Sequence, residues 1–144
     1  SINMFYIKKQ FKFEAAHRLL NYKSKCKNIH GHNYYVWVYV KNIEDKLNDM
    51  SMVCDFSDLK ILKDWLDKDL DHSLIININD KDLLNMVKGS EFKTCTLNEN
   101  PTAEYMSKYI YDNFNNLIKE IDNNLKVFKV EVYENLESIA VYEN

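Results

Sequence analysis

The chain has 144 residues, of which 46% are hydrophobic and 28% charged, and it carries a net charge of −3. This composition is typical of a soluble protein with a single core, so we predict one domain over residues 1–144, with residues 1–3 left out of the fold prediction. The net charge argues against a general nucleic-acid binder, and no apolar run reaches the ~20 residues that span a bilayer. Three cysteines argue against a disulfide framework, and the lack of an apolar signal segment favours a cytoplasmic location.

The first predicted element is a strand from Phe5 to His17, because apolar and polar residues alternate along it. His17 continues the phase of Phe11, Phe13 and Ala15, so its imidazole is predicted on the apolar face at the strand end. A buried imidazole needs a partner. A lone inward histidine is more often hydrogen-bonded to the backbone than bound to a metal, and both interpretations stay open at this point.

A second strand is predicted from His30 onward, because β-branched and aromatic residues fill Tyr35–Val40. Side chains two residues apart in a strand point to the same face, so His30 and His32 are placed to bind one metal ion. Gly31 would let the backbone turn or approach closely between them. An isolated His-x-His is otherwise a pair of surface histidines. Two antiparallel strands would bring His17 to this pair, and three protein ligands with an open fourth position are typical of catalytic zinc.

The loop between these two strands is basic, with Arg18, Lys23, Lys25 and Lys27 near Cys26. One interpretation is a solvated loop. The other is an entrance that attracts an anionic substrate and favours the thiolate form of Cys26.

After a polar connection, a short strand is predicted over Ser51–Phe56, followed by a helix capped by Ser57 or Asp58. The leucines of that helix recur at helical spacing and make one buried stripe. Asp71 and His72 follow at its end. They are either a chance surface pair or a carboxylate that orients an imidazole for acid or base chemistry.

Residues 77–100 are rich in Asn, Asp and Lys, which predicts a long loop or a small helical insertion. Asn100 or Thr102 then caps a long amphipathic helix, whose apolar residues recur at steps of three and four from Ala103 to Ile121.

A strand that begins near Phe128 puts the carboxylate of Glu134 on its inward face. Such a group needs a lysine partner or a ligand with two parallel N–H donors, such as an aminopyrimidinone ring. A final strand covers Ile139–Tyr142. Helices packed on one face of an antiparallel sheet make the α+β class.

Together these residues resemble the 6-pyruvoyltetrahydropterin synthase family, and most closely its queuosine-pathway branch, the 6-carboxytetrahydropterin synthases. The matching motifs, in register over nearly the whole chain, are Phe13-Glu14-Ala15-Ala16-His17-Arg18-Leu19, Cys26-x3-His30-Gly31-His32-Asn33-Tyr34, Asp55-Phe56 with Leu59-Lys60, Leu70-Asp71-His72, Pro101-Thr102-Ala103-Glu104 and Glu134. Two positions depart from the family pattern, since Asn135 stands where Thr is usual and Tyr105 where Asn is common. The 77–100 segment is also longer than in compact members.

The resemblance implies the tunnelling fold, an α+β antiparallel sheet with two helices packed on one face. Its subunits assemble into an oligomeric barrel, typically a hexamer of two trimers with active sites between subunits. It implies Zn²⁺ held by His17, His30 and His32, and a small pterin triphosphate as substrate, with neither nucleic acid nor membrane as a partner.

The same resemblance implies roles for further residues. Cys26 would be the base that abstracts a substrate proton, and His72, held by Asp71, would move protons on the other face of the substrate. Glu134 would anchor the pterin ring. The residues implied in catalysis are Cys26, Asp71, His72 and Glu134, and those implied in substrate binding are Thr102, Glu104 and Glu134.

The implied activity is that of a zinc-dependent lyase of queuosine biosynthesis. It would convert 7,8-dihydroneopterin triphosphate to 6-carboxy-5,6,7,8-tetrahydropterin with loss of triphosphate and acetaldehyde. The alternatives are the pyruvoyl synthase reaction, which releases only triphosphate, aldolase-like cleavage of dihydroneopterin, and a non-catalytic zinc-bound oligomer that binds a pterin or purine. The presence of Cys26 and of the Asp71-His72 pair argues against the non-catalytic alternative.

Overall fold

A computed structural model describes residues 4–144, so residues 1–3 lie outside the described part of the chain. Six strands form one sheet in the order β4-β3-β1-β2-β5-β6. The elements are β1 (Ile7–His17), β2 (His30–Asn42), α1 (Lys60–Asp69), β3 (Ser73–Asn77), α2 (Lys81–Val87), β4 (Thr94–Leu97), α3 (Ala103–Ile118), β5 (Leu125–Asn135) and β6 (Ser138–Glu143).

The α+β class is confirmed, and so are the strands predicted at β1, β2, β5 and β6. The sheet is mixed rather than antiparallel throughout, because β3 pairs parallel to β1 and β4 parallel to β3. The 77–100 segment holds α2 and β4, where a loop or a helical insertion was predicted. Parallel neighbours need a crossover between them, and α2 supplies it.

The strand predicted over Ser51–Phe56 is wrong, because local hydrogen bonds curl this segment. The Asn48 side chain accepts two backbone N–H groups, those of residues 50 and 52, at 2.9 and 3.0 Å. Ser51 has a φ of 63°, in the left-handed region. Val53 and Cys54 are nevertheless buried, which accounts for the apolar pattern.

The helices α1 and α3 were both predicted, with one cap misplaced. The Asp55 carboxylate, and not Ser57 or Asp58, caps the 3₁₀ turn that leads into α1. The Thr102 hydroxyl accepts the Tyr105 N–H at 3.1 Å and caps α3, as predicted. None of the helices in residues 4–144 combines the length and the apolar character that crossing a bilayer requires.

The core lies between one face of the sheet and the helices α1 and α3. Buried positions alternate along β1 from Phe11 to His17, as predicted, and His17 is only 2% exposed. The antiparallel register sets His17 opposite His30 and Ala15 opposite His32. The three predicted metal ligands therefore lie at one end of the core face.

A β-bulge changes the predicted alternation in β5. Val127 and Val130 are both buried, and the register with β2 shifts between them. Phe128 therefore leaves the core, and its ring contacts Tyr6 with 5.3 Å between the centroids. The phase after the bulge still directs Glu134 toward His32, from which its carboxylate lies 3.7 Å.

Candidate metal centre and active site

Three histidines converge where β1 ends and β2 begins. The ligand atoms of His17, His30 and His32 all lie within 4.8 Å of one another. The Nε2 atoms of His17 and His30 are 3.2 Å apart. The strand register explains this geometry, because His17 lies directly opposite His30 and His32 follows two residues later on the same face.

Backbone carbonyls fix the orientation of two of these rings. His17 Nδ1 donates to the Pro101 carbonyl at 2.7 Å, and His30 Nδ1 donates to the Asn28 carbonyl at 2.7 Å. Because a carbonyl only accepts, each ring carries its proton on Nδ1 and leaves the Nε2 lone pair free. Metal-binding histidines in proteins are typically oriented in this way.

The arrangement fits a bound cation. The Nε2 lone pairs of His17 and His30 face each other at 3.2 Å with no proton between them, which is repulsive. The Nε2 of His32 is buried and has no hydrogen-bond partner among residues 4–144. Buried polar atoms rarely stay unpaired. A cation among the three rings would relieve both costs, and neutral imidazoles suit Zn²⁺.

Burial favours the neutral, metal-binding form of two of these rings, those of His17 and His32. Burial lowers the pKa of His17 below the ordinary imidazole value, and the opposing effects of the Pro101 carbonyl and of Glu134 do not overcome it. Burial likewise lowers the pKa of His32, against the nearby charge of Glu134. Metal binding to histidine requires deprotonated nitrogen, so these directions favour occupancy at neutral pH.

Cys26 shares a cavity with the metal centre. It sits on a 3₁₀ turn capped by the Ser24 hydroxyl, and its carbonyl accepts the Leu19 N–H at 2.9 Å. The cavity has a volume of about 300 Å³ and brings four predicted site residues to the histidines. Its lining consists of His17, Leu19, Tyr22, Cys26, His30, Thr102, Ala103, Glu104 and Glu134.

Arg18 does not contribute a free charge to the basic loop. Its guanidinium donates to both oxygens of Asp80, at 2.6 and 2.7 Å, and the Asp80 side chain is 2% exposed. This pairing raises the pKa of Arg18 and lowers that of Asp80. The exposed positive charges of the loop are therefore Lys23, Lys25 and Lys27.

Asp71 and His72 form the predicted pair, and Glu14 holds both. His72 Nδ1 lies 2.8 Å from an Asp71 oxygen, and its Nε2 lies 3.5 Å from the Glu14 carboxylate. The Glu14 N–H donates to Asp71 at 2.9 Å, and the Glu14 carbonyl accepts the His72 N–H at 2.6 Å. Burial acts to raise the pKa of Asp71, but these hydrogen bonds and the nearby positive charges outweigh it and lower that pKa.

This pair lies on the opposite face of the sheet from the metal centre. A depression of about 440 Å³ is lined by His72 and Ser73 together with Glu14, Ala15, Ala16, Gly31, His32 and Asn33. On β1 and β2 the positions of Glu14, Ala16, Gly31 and Asn33 alternate with those of the three histidines, so their side chains point the other way. His72 does not line the cavity of Cys26. A single chain thus does not bring His72 into the cavity that holds Cys26.

Gly31 is not the turn that its position in His-x-His suggested. It continues β2, opposite Ala16, without a left-handed φ. A Cβ at this position would lie 3.5 Å from the Ala15 carbonyl, an ordinary contact. The prediction that Gly31 serves a special backbone conformation is therefore wrong, and the glycine instead leaves space beside His72.

A family model described as 6-pyruvoyl tetrahydropterin synthase matches residues 6–144. The chain belongs to this family. The 6-carboxy-5,6,7,8-tetrahydropterin synthase of Aquifex aeolicus is 34% identical, in a match that covers 95% of this chain and 96% of that protein. The protein of the same name from Rickettsia conorii is 31% identical, with 88% and 91% covered.

Solved structures share the fold of this family member. An uncharacterized protein from Wolinella succinogenes superimposes with a TM-score of 0.81 at 23% identity, covering 97% of this chain and 98% of that one. The 6-pyruvoyl tetrahydropterin synthase of Caenorhabditis elegans gives a TM-score of 0.70 at 22% identity, covering 100% and 99%. The family resemblance predicted from the motifs is confirmed.

Several residues that shape the site in this family member are not predicted by local sequence patterns. The carbonyls of Asn28 and Pro101 orient the imidazoles, but a carbonyl leaves no trace in residue type. Tyr34 is fully buried beside His17, with 3.4 Å between its hydroxyl and Nδ1, and only its place in the motif distinguishes it in the sequence. Glu14 could have been identified from the sequence as a candidate site residue, because it is a charged residue three positions before His17 in the matching motif.

Proposed function

We propose that the chain is a zinc-dependent lyase that converts 7,8-dihydroneopterin triphosphate and one water molecule to 6-carboxy-5,6,7,8-tetrahydropterin, triphosphate and acetaldehyde. The observation that carries this proposal is the single cavity that Cys26 and Glu134 share with His17 and His30, two of the three clustered histidines. The names of relatives 31% and 34% identical over most of the chain support the carboxy product over the pyruvoyl one.

His17, His30 and His32 would hold the zinc ion. The Tyr34 hydroxyl, 3.4 Å from His17 Nδ1, would help to keep the His17 ring in place. When bound, Zn²⁺ supplies a Lewis acid that polarises oxygens of the substrate side chain and acidifies the neighbouring C–H and O–H groups.

Cys26 accepts the proton that leaves the substrate side chain. Cys26 lines the same cavity as His30, where a substrate would be held. The reactive form is the thiolate, and positive charge nearby favours it. Lys25 and Lys27 flank Cys26 directly, and together with Lys23 they attract the triphosphate.

Glu134 anchors the pterin ring. No lysine or arginine of residues 4–144 pairs with its carboxylate, whose ionic neighbour is His32 at 3.7 Å. Both oxygens are therefore available to accept two parallel N–H bonds from the aminopyrimidinone ring. Thr102 and Glu104 line the same cavity and contact the substrate around this anchor.

His72 and Asp71 act on substrate bound in the cavity of a second copy of the chain. The His72 side chain is 72% exposed on the other face of the sheet, so it is open to a neighbouring molecule. The sheet ends in the edge strands β4 and β6, whose free backbone groups favour pairing with further copies. We take the assembly to be a cytoplasmic hexamer made of two trimers.

The test is product analysis on the zinc-loaded protein. It is incubated with 7,8-dihydroneopterin triphosphate, and products are identified by mass spectrometry beside the Cys26→Ala variant as control. Carboxytetrahydropterin with acetaldehyde, absent with the variant, supports the proposal. A pyruvoyl product moves the protein to the sister reaction. Bound zinc and retained pterin without turnover contradict the enzyme assignment and leave a binding protein.

A further inference from the structure

The loop that carries Cys26 has few attachments to the rest of the protein. Residues 21–25 and 27–29 are exposed. In the described hydrogen bonds, residues 21–29 donate and accept only within the loop and to its own ends. Two side chains from outside hold the loop near its start: Asp80, which binds Arg18, and Asn100, which binds Leu20. The position of Cys26 thus depends on contacts made several residues away.

The side-chain amide of Asn100 pairs with the backbone of Leu20 through one accepted and one donated hydrogen bond, as the backbone of a neighbouring β-strand would. Its side-chain oxygen accepts the Leu20 N–H at 2.9 Å, and its side-chain nitrogen donates to the Leu20 carbonyl at 3.1 Å. The same oxygen accepts the Asn77 amide at 3.0 Å. These partners fix which side-chain atom is the oxygen, because the Leu20 N–H only donates and its carbonyl only accepts. Asn77 is 7% exposed, so the support comes from the sheet interior.

The two residues after Asn100 reach the metal centre and the helix. The Pro101 carbonyl accepts the hydrogen bond that His17 Nδ1 donates, at 2.7 Å. Thr102 caps α3 and lines the cavity. One three-residue segment therefore holds the loop of Cys26, a candidate metal ligand and the start of α3. This segment therefore links the loop of Cys26 directly to a candidate metal ligand.

We propose that Asn100 is a positioning residue that holds the Cys26 loop in register with the metal centre. Asn100 does not line the cavity of Cys26, so it acts through Leu20 and the loop backbone. The inference rests on the proposed function in one respect, the role of Cys26 as the base. The placement of the loop itself is independent of that role.

The first test is amide hydrogen exchange on the zinc-loaded protein without substrate. Asn100→Ala removes both hydrogen bonds to Leu20, so exchange in residues 19–28 should become about 10-fold faster or more while the core strands are unchanged. The matched control is Asn98→Ala, because Asn98 is exposed and takes part in none of the described hydrogen bonds. Unchanged exchange in the loop of Asn100→Ala overturns the proposal.

The second test separates positioning from stability in steady-state kinetics. Asn100→Ala should keep its zinc and lower kcat about 10–100-fold, because a small displacement of a catalytic group has an effect of that size. KM should change less than about threefold, since Asn100 makes no contact in the cavity. A kcat equal to that of Asn98→Ala overturns the proposal.

A second variant covers the case in which Asn100→Ala does not fold. Asn77→Ala removes one donor to the Asn100 oxygen and keeps both bonds to Leu20, so a smaller increase in exchange over residues 19–28 is expected. No increase in that variant overturns the proposal. Wild-type protein that does not turn over the pterin refutes the proposed function alone, and the exchange measurement then decides whether Asn100 holds the loop.

Discussion

The two candidate reactive clusters, the histidine cluster and the Asp71-His72 pair, are held in different ways. His17 is 2% exposed, and backbone carbonyls fix its ring and that of His30. The His72 side chain is 72% exposed, and carboxylates orient it. All three candidate metal ligands therefore come from one folded chain. The imidazole of His72 has a fixed direction but does not line the cavity of Cys26.

The backbone of His72 supports this distinction. Its φ of 58° is uncommon for a residue other than glycine, and such conformations persist where the surroundings hold them. Here the Glu14 carbonyl and the Asp71 carboxylate supply that hold. An exposed histidine in this backbone conformation, held by these two contacts, supports the proposed functional role of His72.

The largest expected effect is on zinc content, which should differ between a variant of the histidine cluster and a variant of the Asp71-His72 pair. His30→Ala should weaken zinc binding by about 100-fold or more and abolish turnover, because even an outer contact to a ligand accounts for 10–100-fold. His72→Ala should keep full zinc. Metal analysis by mass spectrometry and competition with a chromophoric chelator measure both. Full zinc in His30→Ala would contradict the ligand assignment.

A complementation experiment tests whether the clusters meet between copies of the chain. Cys26→Ala and His72→Ala should each keep zinc and lower kcat by about 10²–10⁴-fold, since each removes an acid or base. Co-expressed, the two variants should form mixed oligomers in which some sites pair an intact Cys26 with an intact His72. Partial recovery of turnover, relative to either variant alone, is the expected result. No recovery in verified mixed oligomers would place both groups in one chain.

Gly31→Ala adds a single methyl group on the side of the sheet where His72 lies, so it tests whether that side can be changed without affecting the histidine cluster. The backbone accepts it, because a Cβ would make only an ordinary contact with Ala15, so the free energy of unfolding should change by less than about 1 kcal/mol. The methyl occupies the depression next to His72, so kcat should fall about 10-fold while zinc content stays the same. Chemical denaturation, metal analysis and kinetics measure the three quantities. Lost zinc would show that the two faces are not independent.

The last prediction concerns the attachment of the Cys26 loop through Arg18 and Asp80, and it is measured as a change in the free energy of unfolding. Asp80→Asn keeps the cap of α2 but removes the charge that pairs with Arg18, so the free energy of unfolding should fall by about 1–3 kcal/mol near neutral pH.

The same variant has a defined pH dependence. The hydrogen bond from Arg18 holds the folded pKa of Asp80 below 3.8, its ordinary value. The stabilisation is thus fully present above about pH 4 and is lost as the pH falls through the folded pKa. The gap between wild type and variant should close in acid, and a gap that stays constant would exclude the charge as its cause.

The sequence was sufficient to predict an element and its inward face where regularly spaced apolar residues pack in the core. The alternation in β1 predicted an inward His17, and His-x-His at the start of β2 predicted the shared face, so the cluster followed from local spacing. The long helix α3 and its Thr102 cap were predicted for the same reason.

The remaining features depend on contacts that local spacing does not encode. The strands β3 and β4 are short, and their parallel pairing is fixed only by neighbours distant in sequence. The Asn48 side chain curls an apolar segment that otherwise favours a strand. The face on which His72 lies depends on its left-handed backbone and on Glu14, so adjacency to Asp71 predicted the pair but not its location.

The position of the histidines at the base of the Cys26 loop has a further consequence. His17 and His30 are direct partners in the strand register, so the residues between them form a loop whose two ends meet at the metal centre. A metal ion held there would act on the chain as a cross-link does, lowering the conformational entropy of the open loop before folding. The cost of closing a loop rises by only about 0.6 kcal/mol for each doubling of its length. Insertions in this loop should therefore leave metal affinity nearly unchanged, while the placement of the thiol would depend on every residue added.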